Sequence, residues 1–341
     1  MVTIKDIAKV TGVSCTTVSN VIHGRSSRVS PITVKKINRA IQELGYVPNM
    51  SARTLISSSS RVIAYINHIG PTQDPEIQDP FQSSIINTVE AMLRQSGYYM
   101  MLRAIDEPDD LLSFLRTWSI DGLIFTGVFL DRFYDVVKNL KIPMVLIDSY
   151  IKQPDVSNIG LDDFQGSFDA TAYLLQHGHR KISFASPSIR DGGVLKERFL
   201  GYKTALAEYG VPFDQTLIIE HEMDYHSSRQ AGIEIASLPD VTAVVVTADI
   251  MAAGIMTGIR EYGKRIPEDI SIIGFDDIEI SRLTTPALTT IHQDIQKKGK
   301  LAVHTLLQLL DTPNAAPTSI SLPTRLIERE SVRQLKEPPF V

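Results

Sequence analysis

Cysteine is nearly missing from this chain. Cys15 is the one example in 341 residues, so no internal disulfide can form, and no Cys/His cluster falls at metal-ligand spacing. The pair His177 and His179 in "HGHRKI" precedes a strand pattern, where loop contacts are the commoner role. No apolar run reaches the ~18 residues that would span a bilayer. The start of the chain turns amphipathic at once, without an apolar signal core or a small-residue cleavage site, so a reducing cytoplasm is the expected compartment. A glycine-rich phosphate loop of the required spacing, a nucleophile elbow and a metal motif are all missing, which leaves neither a catalytic site nor a cofactor to expect. An excess of basic residues is missing beyond residue 60. Eight Lys/Arg against Asp6 and Glu43 make residues 1–60 +6, so the net −5 of the chain leaves −11 for the rest. Attraction to nucleic acid phosphates is thereby confined to the first sixty residues.

What is present is globular. Hydrophobic residues make up 43% and charged residues 21%, and the length calls for two or three compact units. Thr3 and Asp6 form a capping pair before Ile4, Ile7, Ala8 and Thr11, which predicts a helix over 4–11 ended by Gly12. Ser14 caps a second helix over 15–22 with Val18, Val21 and Ile22 buried. Ser30 and Pro31 start a third, which carries Val34, Ile37, Ile41 and Leu44 and stops at Gly45. This is helix-turn-helix spacing, in which the second helix presents Cys15, Thr16, Thr17, Ser19 and Asn20 outward. Taken singly, each of these polar residues has plain solvation as an equally ordinary role.

Together, "VTIKDIAKVTGVSCTTVSNVIHG", "LGYVPN" and "SARTL" resemble the headpiece of the LacI/GalR family of transcription regulators, in order and spacing. The resemblance implies that Cys15, Thr16 and Asn20 read bases and that Thr3, Ser14, Thr17 and Tyr46 contact phosphates. Cys15 departs from the usual hydroxyl residue, and Asn20 stands where relatives often carry Arg or His; Asn suits adenine and Arg suits guanine. The loop around Arg25 and Arg28 is a residue longer than in the purine repressor. Asn49 can cap a short helix over 50–56, which resembles the family's hinge helix. There Leu55 would be the minor-groove wedge and Arg53 the nearest cation, although ordinary core packing also suits a leucine.

From residue 61 onward, β-branched runs at 61–66, 98–103, 122–125, 144–147, 181–185, 243–247 and 270–275 alternate with helical periodicity, as at 83–97, 168–177 and 251–262. That is a βαβ pattern and predicts parallel sheets covered by helices. "DGLIFTG" followed by "KIPMVLIDS" has the layout of "VTAVVVTAD" followed by "RIPEDISIIGFDD", so two similar lobes are expected. The predicted fold is α/β: an all-α headpiece (1–48), a hinge and linker (49–60), and a two-lobed core resembling periplasmic binding proteins. The first lobe is assigned 61–161 and 293–318, and the second 162–292 and 319–335.

Ligands in open parallel sheets sit beyond the carboxyl ends of strands. Asp148, Asp249 and Asp276 all follow strand runs, and Arg198 opens "RFLGY" at a helix start. The resemblance implies hydroxyl-binding roles for Arg198 and Asp276. Asp148 and Arg190 join them as candidates, whereas helix capping suits Asp249 better. Phe81 matches an aromatic that stacks on ligands in relatives, and core packing would suit it equally. The loop 67–80 is longer than usual, and Ala248, Ser149 and Met223 replace groups that relatives use in the pocket. A sugar or sugar derivative is the expected effector, with a purine or nucleoside as the alternative. A homodimer on a near-palindromic DNA operator is also implied, and no leucine heptad follows Arg333. A transport solute-binding protein would share the lobes but have no use for residues 1–60.

Overall fold

The computed structural model describes residues 2–22, 26–46, 59–68, 79–128, 132–151, 156–312 and 315–335. The chain divides into two compact units, residues 1–60 and residues 61–341.

The first unit holds α1 (Ile4–Thr11), α2 (Cys15–Ile22) and α3 (Pro31–Leu44). Local chemistry sets their ends. The Asp6 carboxylate accepts from both the backbone N–H and the hydroxyl of Thr3, at 2.9 and 2.7 Å, and fixes the first turn of α1. Gly12, at φ 66°, takes the left-handed conformation that lets the chain leave α1 and enter α2. Ser14 and Ser30 accept from the backbone N–H of Thr17 and Thr33 at the starts of α2 and α3. The three helices bury one shared core of Ile7, Ala8, Val18, Val21, Ile37 and Ala40.

The second unit contains two six-stranded sheets. The first lobe's sheet runs β11-β5-β4-β3-β1-β2, all parallel, and is built from β1 (Val62–His68), β2 (Tyr99–Ile105), β3 (Gly122–Thr126), β4 (Met144–Ile147), β5 (Ser157–Leu161) and β11 (Ser319–Leu322). The second runs β12-β10-β9-β8-β6-β7. It uses β6 (Ile182–Ser186), β7 (Ile218–Glu220), β8 (Ala243–Val246), β9 (Ser271–Asp276), β10 (Thr289–His292) and β12 (Arg325–Ile327), with only β12 antiparallel. Position by position the two orders are the same, so β4 in one lobe is the counterpart of β9 in the other.

Helices α4 (Pro80–Gln95), α5 (Pro108–Thr117) and α6 (Arg132–Val137) flank the first sheet, and α7 (Asp163–Gln176), α8 (Val194–Glu208), α9 (Tyr225–Ser237) and α10 (Asp249–Glu261) the second. After the short α11 (Ile280–Leu283) and β10, α12 (Ile295–Asp311) returns to the first sheet, burying Ala302, Val303 and Leu306 there.

Two expectations are corrected. The segment from residue 319 was assigned to the second lobe, yet Ser319–Leu322 pairs in parallel with β5 in the first sheet, and only Arg325–Ile327 joins the second. The cause is Pro323, which interrupts the strand, while Ile320 and Leu322 alternate into the core of the lobes. Arg198 is the fifth residue of α8, not its start, because Gly193 precedes the first turn.

Candidate functional site

In the headpiece, Cys15 and Thr16 are exposed at the start of α2, and Thr17, Ser19, Asn20 and Tyr46 are half-buried. The hydroxyls of Ser14 and Thr17 lie 2.9 Å apart, and the hydroxyl of Thr3 is held by Asp6, so these groups are ordered by the caps they form. Lys5, Lys9, Arg28, Lys35, Lys36 and Arg39 are all exposed, which gives the unit its positive surface. Arg25, Arg53, Leu55 and the expected hinge helix over 50–56 lie outside the described residues.

In the second unit the carboxyl ends of β4 and β9 carry Asp148 and Asp276, both at positive φ, 53° and 113°. A carboxylate held in so rare a backbone conformation requires support from its surroundings. At β9 that support is dense. Asp277, also at positive φ, accepts from Arg329 and lies 2.9 Å from His292 Nδ1. Asp249, the first residue of α10, accepts from Ile278 N at 3.0 Å and from Thr290 Oγ1 at 2.5 Å. It braces the strand ends instead of capping a helix, and the N-cap position of its own helix is held by Ala248, without a side-chain cap. Gly274 makes room for it: a Cβ there would lie 2.3 Å from Asp249 Oδ1.

A continuous polar network joins the two strand ends. Arg198 donates from Nε to Asp163 at 2.8 Å and from Nη1 to the Thr247 carbonyl. Its Nη2 lies 2.7 Å from Asp163 and 3.9 Å from Asp276, and its guanidinium stacks 3.5 Å above the centre of the Phe275 ring. Gln293 Nε2 donates to Asp276 at 2.6 Å, and Gln293 Oε1 accepts from Lys298 at 2.7 Å. Lys298 in turn donates to both oxygens of Asp148, at 2.7 and 2.8 Å, with its ammonium 5.4 Å from the Phe81 ring. Tyr150 donates to Asp163 beside the Leu161 carbonyl. Arg198, Asp163, Asp276, Gln293 and Lys298 are all buried.

Burial shapes the charge states. It pushes the Asp276 carboxyl up to about 7 against the pull of Arg198, with Asp79 adding to the rise. Burial also raises Asp148, opposed by Lys298 and reinforced by Asp163. For Arg198, burial disfavours the cation, but Asp163 and Asp276 outweigh it and hold the group above its usual value.

Four of the five candidate contacts for a small molecule, Phe81, Asp148, Arg198 and Asp276, thus belong to one cluster. Arg190 does not join it; it is exposed in the loop before α8 and makes no hydrogen bond or ion pair with a described residue. Sequence reasoning missed Asp79, Tyr150, Asp163, Gln293 and Lys298. The doublet Asp162-Asp163 at the start of α7 and the run "HQDIQKKGK" were the available signals, since each opens a helix directly after a strand of the core, β5 or β10. His179 is buried, with Thr242 and the Arg333 carbonyl as its partners. Among the described residues no helix is long and apolar enough to cross a membrane.

Comparison with known proteins agrees with this architecture. Residues 3–49 match the model of bacterial regulatory proteins of the lacI family, and residues 171–332 match a periplasmic binding protein-like domain. The chain is 32% identical to the HTH-type transcriptional repressor PurR of Vibrio atlanticus, over 98% of this chain and all of that protein. It is 31% identical to the HTH-type transcriptional regulator CelR of Thermobifida fusca, over 96% of this chain and 98% of that one. Among solved structures, the lac repressor dimer bound to operator and an anti-inducer superposes with a TM-score of 0.84 at 26% identity, covering 97% of this chain and 99% of that one. A complex of CelR with cellobiose gives 0.73 at 28% identity, over 97% of this chain and all of that one. The chain belongs to the lacI family of bacterial regulatory proteins and is a DNA-binding transcription regulator.

Proposed function

We propose that the chain is a cytoplasmic repressor, acting as a homodimer on a near-palindromic operator, whose DNA affinity is set by a sugar or sugar derivative bound between the two lobes. The observation that carries this reading is the convergence of Asp148, Arg198 and Asp276 at the carboxyl ends of equivalent strands. Carboxylates accept from neighbouring hydroxyls and a guanidinium donates beside them, which suits a vicinal diol. Cys15, Thr16 and Asn20 read bases, while Thr3, Ser14, Thr17 and Tyr46 hold phosphates. Arg53 and Leu55 serve the minor groove. Ligand affinity that differs between two lobe arrangements would change operator affinity by about 5–150-fold, for a coupling of roughly 1–3 kcal/mol.

The test is a gel-shift series on upstream DNA with sugars, sugar phosphates and purines. Operator binding that responds to one of these is the expected result, and a protein indifferent to double-stranded DNA at low salt refutes the reading. A purine response would favour the second reading, which rests on the likeness to purine repressors. Asn20→Ala is expected to cost about 1–3 kcal/mol at a single base position. Leu55→Ala is expected to weaken operator binding far more than binding to random DNA.

A further inference from the structure

Donors and acceptors are unevenly used in the network between the lobes. All three N–H bonds of Lys298 are taken, two by Asp148 and one by Gln293. Arg198 has Nε and Nη2 on Asp163 and Nη1 on the Thr247 carbonyl; of its two further N–H bonds, the one on Nη2 faces Asp276 and the second on Nη1 is left over. The Gln293 amide is engaged at both ends. The carboxylates are less saturated. Each oxygen of Asp148 takes one N–H and keeps a lone pair, and Asp276 accepts from Gln293 at Oδ1 only. The number of groups points the same way: four carboxyls, Asp79, Asp148, Asp163 and Asp276, stand against the two cations of Arg198 and Lys298. A phosphate entering here would meet a surplus of carboxyl groups and no buried cation without a carboxylate beside it, the unpartnered buried donors being the neutral hydroxyls of Tyr65, Ser149 and Thr247, whereas a molecule rich in O–H bonds would find acceptors waiting.

We propose that the effector is an uncharged polyol, a sugar without phosphate or carboxylate, and that Lys298 sets this selectivity by committing its charge to Asp148. This rests on the effector site lying between the lobes. Lys298 acts as a positioning residue. The Asp294 cap, which accepts from Lys297 N at 2.9 Å, fixes the start of α12, and Gly299 lets the helix approach α4, where a Cβ would lie 3.0 Å from Thr88 Cγ2. The lysine side chain then reaches the end of β4 and holds the Asp148 carboxylate ready to accept from a hydroxyl.

The experiment uses the full chain at constant ionic strength, with isothermal titration and operator binding as readouts. The probes are neutral mono- and disaccharides, their phosphate esters, inorganic phosphate and purine bases. A neutral sugar is expected to bind and alter operator affinity, with its phosphate ester at least about tenfold weaker because no buried cation is free to meet it. Asp148→Asn is expected to lose the neutral sugar by about tenfold or more and to gain inorganic phosphate binding through the released Lys298 ammonium. The double variant Asp148→Asn with Lys298→Met, which leaves no unpaired buried charge, is expected to bind neither. Tight binding of a phosphate ester or a purine by the unaltered chain overturns the proposal and leaves the effector site between the lobes standing. So does an Asp148→Asn protein that gains no phosphate binding. Silence of every probe while the operator is still bound overturns the effector reading itself and the proposal with it.

Discussion

The two lobes repeat one strand order, and each ends its third-position strand, β4 or β9, on an aspartate at positive φ, yet the surroundings of the two carboxylates differ. Asp148 is clasped through both oxygens by Lys298 from α12. Asp276 takes one hydrogen bond from Gln293 and stands 3.9 Å from an arginine already committed to Asp163. Two positions earlier, Leu146 fills the core of the first lobe, whereas Gly274 leaves space for the buried Asp249. A repeated backbone therefore fixes where the acceptors stand. The side chains packed behind each one decide its charge and its free lone pairs.

The comparison is broken most severely by removing the cation of the second lobe. Arg198→Met leaves Asp163 and Asp276 buried without it and is expected to destabilise the protein by about 3–5 kcal/mol in urea unfolding. Lys298→Met should cost less, because Asp148 keeps 17% of its side chain exposed; equal losses would erase the distinction drawn between the lobes. The positions two residues earlier come next. Leu146→Ala should lose about 2–5 kcal/mol through a cavity, and Gly274→Ala about 1–3 kcal/mol through overpacking against Asp249. A Gly274→Ala protein of unchanged urea midpoint would show that the close approach does not matter.

The smallest effect is in pH. The Asp276 carboxyl, at about 7, keeps its proton where the unfolded chain has released one, so its contribution is complete below the ordinary carboxylate range near 4. That contribution is lost as pH rises through about 7. Asp276→Asn should accordingly flatten part of the fall in stability between about pH 4 and 7. Asp276 gains its acceptor charge as pH passes through about 7, so polyol affinity should rise from pH 6 to 8 by up to about tenfold, measured by titration calorimetry.

Legibility followed sequence distance. The headpiece could be read to the residue because Thr3 with Asp6, Ser14 with Thr17 and Ser30 with Thr33 act across three positions, and Gly12 and Gly45 end their helices locally. Strands with continuous β-branched runs were legible too. β5, "SNIGL", and the three-residue β7 were not, because neither carries such a run, and the true place of β11 depended on a pairing with β5 some 160 residues away.

The amino-acid order by itself determined a basic three-helix unit, a parallel α/β core and an aspartate at the end of each matching strand, since periodicity, caps and turns act within a few residues. Tertiary structure decided which groups surround those aspartates. Lys298 meets Asp148 across 150 residues through the return of α12 to the first lobe, and Arg198 meets Asp163 across 35 through the packing of α8 on α7 within the second. A carboxylate's charge and free lone pairs depend on such neighbours and on exclusion from water, and neither is encoded in local spacing.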